Sequence, residues 1–177
     1  MTRQQLEHAI RAACEVAEDR ELIIFGSQAI LGQFPDAPPE LRASIEVDVQ
    51  PRNYPEKIDL IDGTLGELSQ FHQTHGFYVH GVSVKAAKLP VGWENRMVKV
   101  QHADYTNDNI GYCVEIHDLA ASKLYAFREK DRDFVWLLLA ESLISADVLQ
   151  KRIKKLQIDL NESKRLLNWV KITREDL

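Results

Sequence analysis

The chain has 177 residues, 45% of them hydrophobic, and a formal net charge of −5. That length sustains one hydrophobic core, and the acidic balance excludes a global electrostatic pull toward nucleic acid, leaving only a local patch. The two cysteines, Cys14 and Cys113, have neither metal-thiolate nor disulfide-framework spacing and read as small buried hydrophobes in a reducing compartment. Residues 1–5 lead into an amphipathic pattern, not an apolar leader. The longest apolar run, Phe134 to Ala140, is too short to span a bilayer. The expected location is therefore the cytoplasm, with no membrane partner.

Leu6, Ile10, Ala13 and Ala17 recur at helical spacing, which predicts an amphipathic helix over 3–19. Glu21 to Phe25 reads as a short buried strand, broken by Gly26-Ser27, and Gln28 to Gly32 as a short helix. Pro35, Pro38 and Pro39 make the next stretch a loop. Ser44 to Val49 alternates polar and apolar residues, predicting a half-buried strand that ends at Pro51. Helical patterns run from about Pro55 to His75, with an interruption near Asp62-Gly63; Phe77 to Val84 reads as a third strand. Leu89 to Trp93 is a turn. Arg96 to Gln101 and Gly111 to Ile116 read as strands, paired as a hairpin around Asn107-Asp108-Asn109. From Asp118 onward the chain looks entirely helical. The expected fold class is α+β: a mixed β-sheet flanked by helices, with a helical C-terminal region, arranged as one domain with a sheet core over about 1–116 and helices over about 117–177.

Two features of this layout carry chemistry. Gly26 lets the backbone approach a phosphate closely; Ser27 can cap the helix that follows, and its hydroxyl can bind a phosphate oxygen. The helix N-terminus adds N–H donors. Glu46 and Asp48, at i and i+2 on a strand, point to one side. Magnesium takes hard oxygen ligands, usually one or two carboxylates plus phosphate oxygens, and two metals can clamp an in-line displacement. Each feature has a plain structural reading, a common turn and a solvent-facing strand edge.

The run Phe25-Gly26-Ser27-Gln28-Ala29-Ile30-Leu31, followed by Arg42-Ala43-Ser44-Ile45-Glu46-Val47-Asp48-Val49, resembles the signature of the polymerase-beta-like nucleotidyltransferase superfamily. The Arg-x-Ser-x-acid-x-Asp form is similar to its AbiEii-like branch, named for abortive-infection and toxin–antitoxin systems. The resemblance implies an enzyme that uses Mg2+ (or Mn2+), held by Glu46 and Asp48, to move a nucleoside monophosphate from an NTP to an RNA or protein acceptor. Gly26 and Ser27 would cradle the triphosphate. The superfamily most often has Asp where Glu46 stands, and usually carries a third acid on a neighbouring strand. The third strand here reads Tyr78-Val79-His80-Gly81-Val82-Ser83, with no acid, and register puts His80 where that acid would be. These departures motivate the alternative of a non-catalytic nucleotide- or partner-binding protein on the same fold, or a toxin–antitoxin component with a cognate partner protein.

A second segment, His117 to Phe134, places Lys123 among Leu119, Ala120, Leu124, Ala126 and Phe127, with Asp118 as the expected helix N-cap. A buried ammonium needs a carboxylate or phosphate partner; a snorkelling lysine at a helix edge is the plain alternative. AbiEii-like proteins carry a similar element, and the resemblance implies a catalytic and nucleotide-binding Lys123 that contacts the triphosphate, with Asp131 as the auxiliary catalytic acid and Asp133 as the competing assignment.

Weaker candidates remain. His72 and His75, three apart on a helix end, could ligate a metal but lack an obvious third ligand. Trp93 and Arg96 could stack on a base or touch phosphate, or plug a loop beside the core. Lys151, Arg152, Lys154, Lys155, Lys164 and Arg165 could form an RNA-binding face or simply a solvated helical surface.

Overall fold

Thr2 opens the first helix with a reciprocal cap: its hydroxyl accepts from the Gln5 N–H, and the Gln5 side chain accepts from the Thr2 N–H. The computed structural model describes all 177 residues, and helix α1 (Arg3–Ala17) follows this cap. Leu6, Ala9, Ile10, Ala13 and Ala17 form its fully buried stripe. The chain divides into two compact units, one made of Met1–Ala86 and Met97–Glu115, the other of Ala87–Arg96 and Ile116–Leu177. No helix is long and apolar enough to cross a membrane.

The first unit holds the whole sheet. Its strands are β1 (Glu21–Phe25), β2 (Glu46–Pro51), β3 (Tyr78–Gly81), β4 (Val98–Val100) and β5 (Ile110–Cys113), in the order β3-β2-β1-β5-β4. The sheet is mixed: β1 runs antiparallel to β2 and parallel to β5, β2 is parallel to β3, and β4 is antiparallel to β5. Being central, β1 is apolar on both faces, with Leu22, Ile23, Ile24 and Phe25 all buried. On β2 the alternation is kept: Val47 and Val49 are buried, while Glu46 and Asp48 face the other way and are partly exposed. The fold is α+β, as the sequence predicts.

Several boundaries differ from expectation. The helical stretch after Pro55 breaks at Gly66, not near Gly63, which lies inside α2 (Ile58–Leu65). Gly66 closes that helix by donating its N–H to the Asp62 carbonyl at 2.9 Å, and Ser69 then caps α3 (Gln70–His75). Strands β4 and β5 are antiparallel neighbours, but the connection is not a tight hairpin. A short helix α4 (Ala103–Thr106), capped by the His102 ring, precedes Asn107 and Asp108, whose φ of 52° and 58° turns the chain back.

The second unit is helical: α5 (Ile116–Ala126), α6 (Glu129–Ala140), α7 (Ala146–Ile153) and α8 (Leu160–Asp176). Leu119, Leu124, Val135, Leu138, Leu149, Ile153, Leu166 and Val170 are among its buried residues. Asp118 does not cap α5. It lies inside the first turn, fully buried, and accepts from Arg96 Nε at 2.7 Å and Nη2 at 3.0 Å, with Arg152 Nε also 3.0 Å away. Arg96 and Arg152 are therefore committed to an internal carboxylate. Arg96 is not an open phosphate contact, and Arg152 drops out of the basic surface run.

Candidate metal centre

Strand alternation builds the site. Parallel pairing of β2 with β3 sets Glu46 opposite Tyr78, Val47 opposite Val79 and Asp48 opposite His80. Glu46-Val47-Asp48 thus lies beside Tyr78-Val79-His80 with matched pattern. Val47 and Val79 are fully buried on one face, and the four polar side chains share the other.

On that face His80 Nδ1 lies 3.0 Å from Glu46 Oε1 and 3.0 Å from Asp48 Oδ1. One ligand atom from each of the three residues lies within 4.8 Å of the others. The side chains of Glu46, Asp48 and His80 are 37%, 24% and 38% exposed, so a cation from solvent can reach them. Two carboxylate oxygens and an imidazole nitrogen converging at this spacing fit a divalent ion.

Tyr78 closes the cluster on the Glu46 side. It is the ladder partner of Glu46, and its phenol titrates above the ordinary tyrosine value: partial burial disfavours the phenolate, and the charges of Glu46, Glu67 and Asp48 add to that. Sequence reasoning passed over Tyr78. The signal was present, since Tyr78-Val79-His80 repeats the polar-apolar-polar pattern of Glu46-Val47-Asp48.

The Gly26 turn belongs to the same site. Antiparallel pairing puts Phe25 opposite Asp48, so Gly26 follows directly beside that carboxylate. Gly26 has φ 67° and ψ −172°, a conformation essentially reserved for glycine. A Cβ there would lie 3.0 Å from Asp48 Cγ and closer still to its Oδ2. Gly26 rather than Ser27 is the cap of the following 3-10 helix, Ser27–Gly32, and no side chain caps it. The expected capping role of Ser27 is thereby corrected, and Ser27 stands as the first residue of that short helix.

In the second unit Lys123 and Asp131 meet. Lys123 Nζ donates to Asp131 Oδ1 at 3.3 Å and lies 4.7 Å from the centre of the Phe134 ring. Arg128 Nε donates to Asp131 Oδ2 at 2.6 Å. Burial lowers the Lys123 pKa below the ordinary lysine value, against the opposing pull of Asp131. Burial alone would raise Asp131, but the hydrogen bond from Arg128 and the charge of Lys123 outweigh it and hold the carboxyl below its usual range. Asp133 is exposed, and Asp131 is the residue that reaches Lys123. The other histidine candidates do not converge: His72 Nδ1 accepts from the Leu68 N–H, and His75 packs with His8, Phe71 and Phe77.

A profile of nucleotidyltransferases of unknown function, DUF6036, matches residues 4–177. The chain belongs to the DUF6036 family. No curated protein and no solved structure gives a match. For this DUF6036 member, the nucleotidyltransferase assignment covers nearly the whole chain, including both motif segments. The more specific AbiEii-like likeness is not part of that finding.

Proposed function

We propose that this DUF6036 chain is a divalent-metal-dependent nucleotidyltransferase that moves a nucleoside monophosphate from an NTP to an RNA or protein acceptor. The observation that carries the reading is the convergence of Glu46 and Asp48 beside the glycine-only turn at Gly26, in a chain of nucleotidyltransferase family. Glu46 and Asp48 would hold the cation, with Mg2+ the ion implied by the resemblance; when bound, it supplies charge neutralisation at the phosphates. Gly26 leaves backbone exposed next to Asp48, without a side chain to obstruct a phosphate. Ser27 offers a hydroxyl for a phosphate oxygen. Lys123 enters from the resemblance as the cation for the triphosphate, with Asp131 as its auxiliary acid. In the reaction the acceptor hydroxyl oxygen bonds to the α-phosphorus and the α–β bridging bond breaks. Pyrophosphate leaves with that electron pair, and the hydroxyl proton passes to solvent.

The test is incubation of the full chain with α-labelled NTPs, Mg2+ or Mn2+, and total cellular RNA or protein. Label transfer that is lost in Asp48→Ala supports the proposal. Intact NTP binding without transfer to any acceptor overturns it.

One observation favours a second reading. His80, rather than a third acid, stands 3.0 Å from both carboxylates and can itself hydrogen-bond to them. The protein would then bind a nucleotide or a partner without catalysis, for example as a toxin–antitoxin component. Growth arrest on expression that persists in Asp48→Ala would support a partner-dependent, non-catalytic role.

A further inference from the structure

We infer that His80 is a metal ligand in its own right, and that with Glu46 and Asp48 it forms a two-oxygen, one-nitrogen site selecting Mn2+ over Mg2+. The inference rests on the metal-binding part of the function proposed above and deepens it by naming the cation. Three observations carry it.

The first is convergence. His80 Nδ1 is equidistant, at 3.0 Å, from one oxygen of each carboxylate. A single Nδ1–H can point fully at only one acceptor, so hydrogen bonding does not by itself call for two carboxylates at equal range. A cation placed among three donors does.

The second is fixation by backbone. Asp48 and His80 are direct partners in a parallel ladder, and the intervening Val47 and Val79 are fully buried. Shifting either strand by one residue would turn the valines out and the ligands in, so burial holds the three donors in register.

The third is donor chemistry. Mg2+ takes oxygen ligands almost exclusively and dehydrates reluctantly. Imidazole nitrogen is a better ligand for first-row transition ions than for Mg2+, and of these Mn2+ is the one that shares the carboxylate-oxygen preference of Mg2+.

The experiment uses the full chain with metal alone and no nucleotide. Calorimetric titrations should show Mn2+ binding at least about tenfold more tightly than Mg2+ in the wild type, with His80→Asp closing most of that gap. The electron spin echo envelope of bound Mn2+ should show a nitrogen hyperfine coupling in the wild type, absent in Asp48→Ala, which controls for histidines elsewhere. The spectroscopic readout needs no His80 variant, so it decides the matter even if His80→Asp does not fold. Equal Mn2+ to Mg2+ ratios in wild type and folded His80→Asp, no nitrogen coupling, or no Mn2+ binding would each overturn the inference. Failure of nucleotidyl transfer with these signals intact would count only against the proposed reaction.

Discussion

The Asp48 carboxylate lies in the space that a side chain on Gly26 would occupy, and Gly26 is at the same time held at φ 67° and ψ −172°. Turn and carboxylate are thus one unit. Gly26→Ala should lose about 1–3 kcal/mol from the backbone alone, and more from the clash with Asp48. Combining Gly26→Ala with Asp48→Ala should relieve the clash but not the strain. The double variant is then more stable than the sum of the singles predicts. Urea unfolding of the four proteins measures this, and strict additivity would show that the two residues do not constrain each other.

Asp131 is fully buried and joins Lys123 and Arg128. Removing the charge leaves a mostly buried ammonium without its carboxylate. Asp131→Asn is expected to destabilise by about 3–5 kcal/mol. Replacing both members, as Lys123→Met with Asp131→Leu, should recover much of that loss, because no buried charge is then left unpaired. An equal loss in the single and double variants would contradict this. Asp133→Asn, on the exposed side of α6, should change stability little.

Asp19 ties the start of β1 to the loop after β2. Its carboxylate accepts from the Asn53 side chain at 2.8 Å and from the backbone N–H groups of Glu21, Asn53 and Tyr54. Burial pushes this carboxyl upward, but the hydrogen bonds from Asn53, Glu21 and Tyr54 together hold it below the usual range. The folded-state value is therefore the lower one. The network's contribution is complete above the unfolded pKa of about 3.9 and is lost as the pH falls through the folded value. Asp19→Asn should be less stable at neutral pH by about 1–3 kcal/mol. Its stability should also fall less steeply than the wild type's in the acid range. Chemical denaturation across a pH series tests both, and parallel profiles would remove Asp19 from the acid response.

Gln28 is fully buried, and neither its amide nitrogen nor its amide oxygen has a hydrogen-bonding partner in the protein. Leaving both groups unsatisfied costs free energy that an apolar residue of similar length avoids. Gln28→Met should raise stability by about 1–3 kcal/mol, seen as a higher melting temperature. If the variant is instead destabilised, the amide has a role in the folded protein that packing does not reveal.

The sequence by itself determined the local parts. Apolar spacing set α1, alternation put Glu46 and Asp48 on one side of β2, and Gly26-Ser27 marked the break after β1. These signals are local because helix and strand periodicity and the freedom of glycine act within a few residues. Only the tertiary structure decided what stands next to what. Asp48 and His80 are 32 positions apart, and their contact depends on parallel register between β2 and β3. The choice of Asp131 over Asp133 depended on which side of α6 was buried, and the pairing of Asp118 with Arg96 and Arg152 on how a loop and two helices pack. Register and packing are settled by burial summed over many distant residues, which no short window of sequence contains. Alternation therefore predicted a pair of carboxylates, with His80 expected beside them, and strand pairing brought His80 to 3.0 Å from both.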